Sequence, residues 1–198
     1  MTEAEWAACR DPRELLDYHR MKSHPRRLRL LAAACVRAAL DPTPLVARVL
    51  DVVERYADGT ADRAEFLAAR KAARSAVRDG TAPAVLRQLT DDAMEGMTAA
   101  VAGVRGLAGP DGGAAECGLI RCVFGNPYRA VPADPSWHTS AAVGLARGIH
   151  AERAFDRLPV LADALEDAGC TDPDVLAHCR DGGPHARGCW VVDRLLGR

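Results

Sequence analysis

The chain has 198 residues, 48% of them hydrophobic, and its 26 Lys+Arg against 27 Asp+Glu leave a formal net charge of −1. This is the balance of a folded globular protein, not of a disordered or fibrous one, and a near-neutral chain lacks the broad positive field of a nucleic-acid binder. Aromatics are only 5%, and Ala, Leu and Val carry the apolar content, which favours helices over a β-sandwich or barrel.

The elements follow in chain order. Thr2 and Glu5 stand at capping-box spacing and start a short helix under Trp6. Asp11-Pro12 pairs an N-cap with a first-turn proline and opens a second helix through Tyr18. Leu28, Leu31 and Cys35 define an apolar helical stripe that Asp41-Pro42 stops. Val46, Val49, Leu50, Val53 and Ala57 form the next, ended by Asp58-Gly59. Residues 65–77 are strong helix formers with Phe66, Ala69, Ala73 and Val77 on one face, a further helix is expected over 83–104, and Gly106 to Gly113 read as a loop.

Beyond it, 115–124 reads as a short helix ending in the turn signal Gly125-Asn126-Pro127. Val123 and Val131 mark a minor hairpin, Asp134-Pro135 a turn under Trp137, and 141–151 a helix. Val160, Leu161, Ala164, Leu165 and Ala168 form a stripe with Gly169 at the C′ place. Asp172-Pro173 starts a short helix to Cys179, and a last helix begins near Arg187 with Val191, Val192, Leu195 and Leu196 as its apolar face. The three tryptophans, Trp6, Trp137 and Trp190, are expected as core anchors.

The expected fold is all-α, a single domain of about seven to nine short helices. It comprises an N-terminal helical block over 1–59, an Ala-rich, variable helical spacer over 60–113, and a Cys/His-containing helical module over 114–198 that forms one globular unit with the first. No run of about 18 uninterrupted apolar residues occurs, so no membrane span is expected. Met1 to Arg10 lacks a basic segment leading into an apolar one, so a cytoplasmic setting is expected. There, seven cysteines would be reduced thiols or metal ligands rather than a disulfide framework.

Segment 10–37 carries eight Lys+Arg against three Asp+Glu, a net +5. It suits an acidic partner, and a nucleic-acid-binding adaptor would rest on it. A solvated helix face whose arginines pair with nearby carboxylates is the favoured reading, because no aromatics interleave for base stacking. The acidic trio Asp163, Glu166 and Asp167 lies on one helical face and reads as solvated surface, while His138 and His150 flank the 141–151 helix and suit capping or a pairing with Glu152.

Four stretches, 1–10 (MTEAEWAACR), 122–129 (CVFGNPYR), 152–170 (ERAFDRLPVLADALEDAGC) and 171–197 (TDPDVLAHCRDGGPHARGCWVVDRLLG), resemble a family of uncharacterised bacterial proteins abundant in planctomycetes. The resemblance covers under half of the chain and implies a shared C-terminal module, without an activity.

The constellation with chemical content is Cys170, Cys179, His185 and Cys189, separated by eight, five and three residues. Structural zinc takes four thiolate or imidazole ligands in a tetrahedron, and His185 and Cys189 would share a helical face if the last helix starts early enough. The spacing is similar to that of CCCH zinc fingers, with His and Cys exchanged in the last two places. Those fingers stack RNA bases on aromatics between ligands. This segment has none, and residues 160–198 carry seven acidic against four basic side chains, a net −3, which disfavours RNA.

Two other readings stand beside zinc. One is buried thiols with His178 and His185 capping helix carbonyls. The other is a thiol-dependent hydrolase or transferase with Cys179 as nucleophile, His185 as base and Asp174 or Asp172 as orienter. Adjacent helical residues point about 100° apart, so His178 is poorly placed to serve Cys179. The composite expectation is a non-catalytic binding or scaffold module with a structural zinc site and a protein partner, the thiol enzyme being the alternative.

Overall fold

The computed structural model describes residues 1–17, 24–39, 43–78, 112–132 and 134–198, with positions 92, 96 and 98, the side chains of 74–78 and 112 apart. The Asp41-Pro42 stop, Tyr18, the loop over 106–111 and, but for positions 92, 96 and 98, the helix expected over 83–104 lie outside the described residues. Among the described residues there are ten α-helices and no strand, so the fold is all-α. The chain divides into two compact units, Met1–Ile120 and Arg121–Arg198.

In the first unit, α1 (Glu3–Ala8) carries the expected capping box. Thr2 N–H donates to Glu5 Oε2 at 2.6 Å, and Glu5 N–H donates to Thr2 Oγ1 at 3.2 Å. Asp11 caps α2 (Pro12–Leu16), accepting from Arg13 N–H at 2.9 Å. The longer helices α3 (Pro25–Ala39), α4 (Pro44–Ala57) and α5 (Arg63–Arg78) build the core. Ala33 and Val36 of α3 meet Val46, Val49, Leu50 and Val53 of α4, with Phe66 and Ala73 from α5. Phe66 stacks on Tyr56 with ring centroids 4.5 Å apart, and the Arg29 guanidinium lies over both rings.

Arginines of the basic segment meet carboxylates of α4 and its cap. Arg26 pairs with Asp58 at 2.8 Å, and Arg37 pairs with Asp51 at 2.7 Å and with buried Glu54 at 3.1 Å. Two of the segment's eight cations, Arg26 and Arg37, thus pair with nearby carboxylates, as expected of a solvated helix face.

Helix α6 (Gly112–Phe124) starts within the expected loop, because Gly112 and Gly113 are helical, and the division between the units falls inside it. Val123 is buried in this helix, so the hairpin expected there is not formed. The second unit continues with a 3₁₀ turn, Pro135–Trp137, whose Trp137 is buried, then α7 (Ser140–Glu152), a second 3₁₀ turn at Phe155–Arg157, α8 (Leu158–Asp167), α9 (Pro173–Arg180) and α10 (Trp190–Leu195).

Helix α8 buries Leu158, Leu161, Ala162 and Leu165 at i, i+3, i+4 and i+7, whereas Val160 is 53% exposed. The expected stripe was thus centred slightly off the buried face, because residues one apart point about 100° apart. Gly169 follows the helix at φ +86°, the left-handed C′ conformation that glycine adopts freely. Below α8, Arg180 pairs with Asp163 and Glu166, so the acidic trio is solvated surface tied to α9. The core of the unit joins Ala142, Ala146 and Ile149 of α7 to the α8 leucines, Val191, Val192 and Leu195 of α10, and four cysteines.

Candidate metal centre

Four side chains of the second unit converge. Cys122 comes from the last turn of α6, His178 from the last turn of α9, His185 from the loop between α9 and α10, and Cys189 from the N-cap of α10. Their ligand atoms, two sulfurs and two imidazole nitrogens, all lie within 4.8 Å of one another, and the group could hold a metal ion. Cys122 Sγ is 3.5 Å from His185 Nδ1, and His178 Nε2 is 3.2 Å from Cys189 Sγ. Tetrahedral zinc with its usual bond lengths spaces such atoms roughly 3.3–3.8 Å apart, so small shifts would close the group on one ion.

Local sequence explains each position. Helix α6 ends at Gly125, which sits at φ +71°, and a Cβ there would meet the Trp190 ring at 3.3 Å. Glycine therefore lets the chain leave α6 against the first residue of α10, and Cys122 and Cys189 come together. Asp172 starts α9 by accepting from Asp174 and Val175 N–H at 2.9 and 3.1 Å. The loop then folds on itself: Asp181 Oδ1 accepts from Gly183 N–H at 3.2 Å, and Cys189 N–H donates to the Ala186 carbonyl at 2.9 Å. The last helix therefore begins at Trp190 and not near Arg187, with Gly188 at φ +92° just before its N-cap. His185 and Cys189 consequently meet through a loop and not along a helical face.

Outer contacts orient the donors. His185 Nε2 lies 3.0 Å from the Asp181 carbonyl, and since a carbonyl only accepts, Nε2 carries a proton there and the ring turns Nδ1 toward the cluster. The Ala186 backbone N–H is directed at the Cys122 sulfur. His178 meets the His185 ring edge-on at 5.0 Å and leans toward Trp190 at 5.6 Å. Trp190, expected as a core anchor, is partly buried and packs against the core of the unit.

The two thiols are electrostatically unequal. Burial, with Cys189 beside it, pushes the Cys122 thiol well above its ordinary value. Burial opposes ionisation of Cys189 as well, but hydrogen bonds from Cys122, His178 and His185 outweigh it and hold Cys189 well below its ordinary value. For His185, burial acts against the charged form, yet hydrogen bonds to Cys189 and to the Asp181 carbonyl raise it. The cluster thus favours the thiolate at Cys189 over that at Cys122, and a divalent cation at its centre would favour both.

His185 and Cys189 of the sequence-derived set belong to this cluster. Cys170 and Cys179 do not; both are buried in the apolar core of the unit. Cys179 is fully buried, and burial pushes its thiol far above the ordinary value. A nucleophilic cysteine needs a lowered pKa and access, and Cys179 has neither. Asp174 is engaged by Arg129 through both carboxylate oxygens at 3.1 Å, and His185 by Cys122 and Asp181. The donors that sequence reasoning missed are Cys122 and His178. Rotation along α9 explains the second: Val175 and Cys179, four apart, face the core, so His178 faces the loop.

All seven cysteines are free thiols. Among the described residues no helix is long and apolar enough to cross a membrane. Comparison with protein-family models, with curated proteins and with solved structures gives no match.

Proposed function

We propose that the unit Arg121–Arg198 is a zinc-stapled, non-catalytic module that binds or scaffolds another protein. The observation that carries this reading is the convergence of Cys122, His178, His185 and Cys189 within 4.8 Å. Two thiolates and two imidazoles favour a borderline-soft ion such as zinc over calcium or magnesium, which take oxygen ligands. Four protein donors also fill a tetrahedron and leave no open place for water or substrate, the mark of a structural site. All four donors lie in the stretches 122–129 and 171–197 that resemble the planctomycete-type family, and the module is proposed to be shared with it. Seven free thiols support a reducing, cytoplasmic setting.

Metal analysis tests the reading. Protein prepared without chelator is expected to carry about one equivalent of zinc. Cobalt(II) in its place should give the visible bands of a tetrahedral site and a thiolate-to-cobalt charge-transfer band, both lost in Cys122→Ser. Zinc below about a tenth of an equivalent, with none retained after zinc is added back, would overturn the proposal.

A further inference from the structure

We propose that a second site in the same unit, the cavity beside His150, binds a small organic oxyanion with a short aliphatic body. The cavity is about 480 Å³, the size of a small-ligand site. Val143, Arg147 and His150, at i, i+4 and i+7 on α7, form one wall, and Leu195 and Leu196 of α10 form an apolar one. Arg198 closes the rim, and no acidic side chain lines the space.

The polar end is built around a buried imidazole. His150 is only 6% exposed. Its Nε2 receives both Arg187 Nε and Arg198 Nη1, each at 3.4 Å. A guanidinium can only donate, so one lone pair is shared by two cations at the long end of hydrogen-bonding distance. Arg187 and Arg198 have further partners, which hold them in place. Arg147 is exposed, lines the same cavity and, among the described residues, its side chain has no ion pair or hydrogen bond. An oxyanion seated there gains a charge-assisted contact from Arg147 beside the Arg198 guanidinium at the rim. Leu195, Leu196 and Val143 would cover a few methylenes of its body. Carboxylates and phosphate monoesters share this chemistry. These residues are separate from the metal cluster, and anion binding does not require a metal there.

The test is a titration of the full-length chain, followed by amide NMR shifts or calorimetry, with butyrate and n-butyl phosphate. Acetate, inorganic phosphate and n-butanol are the comparison probes. At least one butyl anion should bind saturably and more tightly than its short counterpart, with no saturable binding of butanol. The tighter of the two identifies the carboxylate or the phosphate class. Arg147→Gln, an exposed substitution, should weaken that anion about tenfold without changing the melting temperature. Leu196→Ser should remove the advantage of the butyl chain. A linear, non-saturating response, equal binding of butanol, or unaltered affinity in Arg147→Gln would overturn the proposal.

Discussion

The two units solve the same packing problem with different materials. Met1–Ile120 builds its described core from helices of 14 to 16 residues whose apolar stripes meet directly, and partly buried ion pairs tie α3 to α4 and its cap. Arg121–Arg198 places helices of 6 to 13 residues around a core that includes four cysteines, and a run of turns separates its last two helices. A unit of about eighty residues rarely draws more than ~3–5 kcal/mol from its core. Long stripes can supply that alone. Short helices around a turning loop gain from a cross-link, and the cluster joins α6, α9, the loop and α10 at one point.

The largest expected effect separates the units outright. Chelation, or Cys189→Ser, should cost the second unit ~3 kcal/mol or more and lower its melting transition by roughly 10–20 °C. The transition of the first unit should not move. Differential scanning calorimetry with and without chelator measures both, and a single transition shifting as a whole would show that the units do not melt separately.

Next comes the converse experiment. Leu50 is fully buried between α3, α4 and α5. Leu50→Ala should cost ~2–5 kcal/mol through lost burial and the cavity left behind. Bound metal should remain at the wild-type stoichiometry. A metal loss in this variant would mean that the second unit depends on the first for its fold.

Much of this contrast was legible in the sequence. Capping boxes, Asp-Pro starts and 3.6-residue stripes mark the helices because they act within one or two turns of chain. The His185–Cys189 half of the cluster was legible for the same reason: its two donors are four residues apart. Cys122 was not, since 63 positions separate it from its contact His185, and only the packing of α6 beside the loop brings them together. His178 against Cys179 was a choice of helical face. Adjacent residues differ by about 100°, and which of the two meets the loop depends on which side of α9 the core covers. The start of the last helix was misjudged because Gly188 and the N-cap Cys189 hold the chain in turns beyond the point where the apolar pattern begins.

That choice of face yields a third, smaller effect. Cys179→Ser places a hydroxyl in an apolar core and should cost ~1–3 kcal/mol, yet the protein should still retain a full equivalent of zinc. Cys122→Ser should instead lose the metal. Equilibrium unfolding paired with metal analysis on the two variants distinguishes ligand from core thiol, and zinc loss from Cys179→Ser with retention in Cys122→Ser would reverse the assignment.

The smallest effect probes how tightly the frame of the cluster is held. Asp172 caps α9 with two backbone hydrogen bonds, to Asp174 and Val175 N–H. The cap lies at the opposite end of the helix from His178, so its loss frays the first turn and leaves the last turn packed. Asp172→Ala should therefore cost ~1 kcal/mol, the usual worth of an N-cap, and Asp172→Asn should recover most of it because the amide oxygen still accepts. Zinc stoichiometry should stay the same in both. If the cluster anchors the C-terminal turn, the cost should be seen in chelated and metal-loaded protein alike, because cap and cluster would act independently. A cost that vanishes on chelation would mean instead that α9 forms as a helix only when the metal is bound.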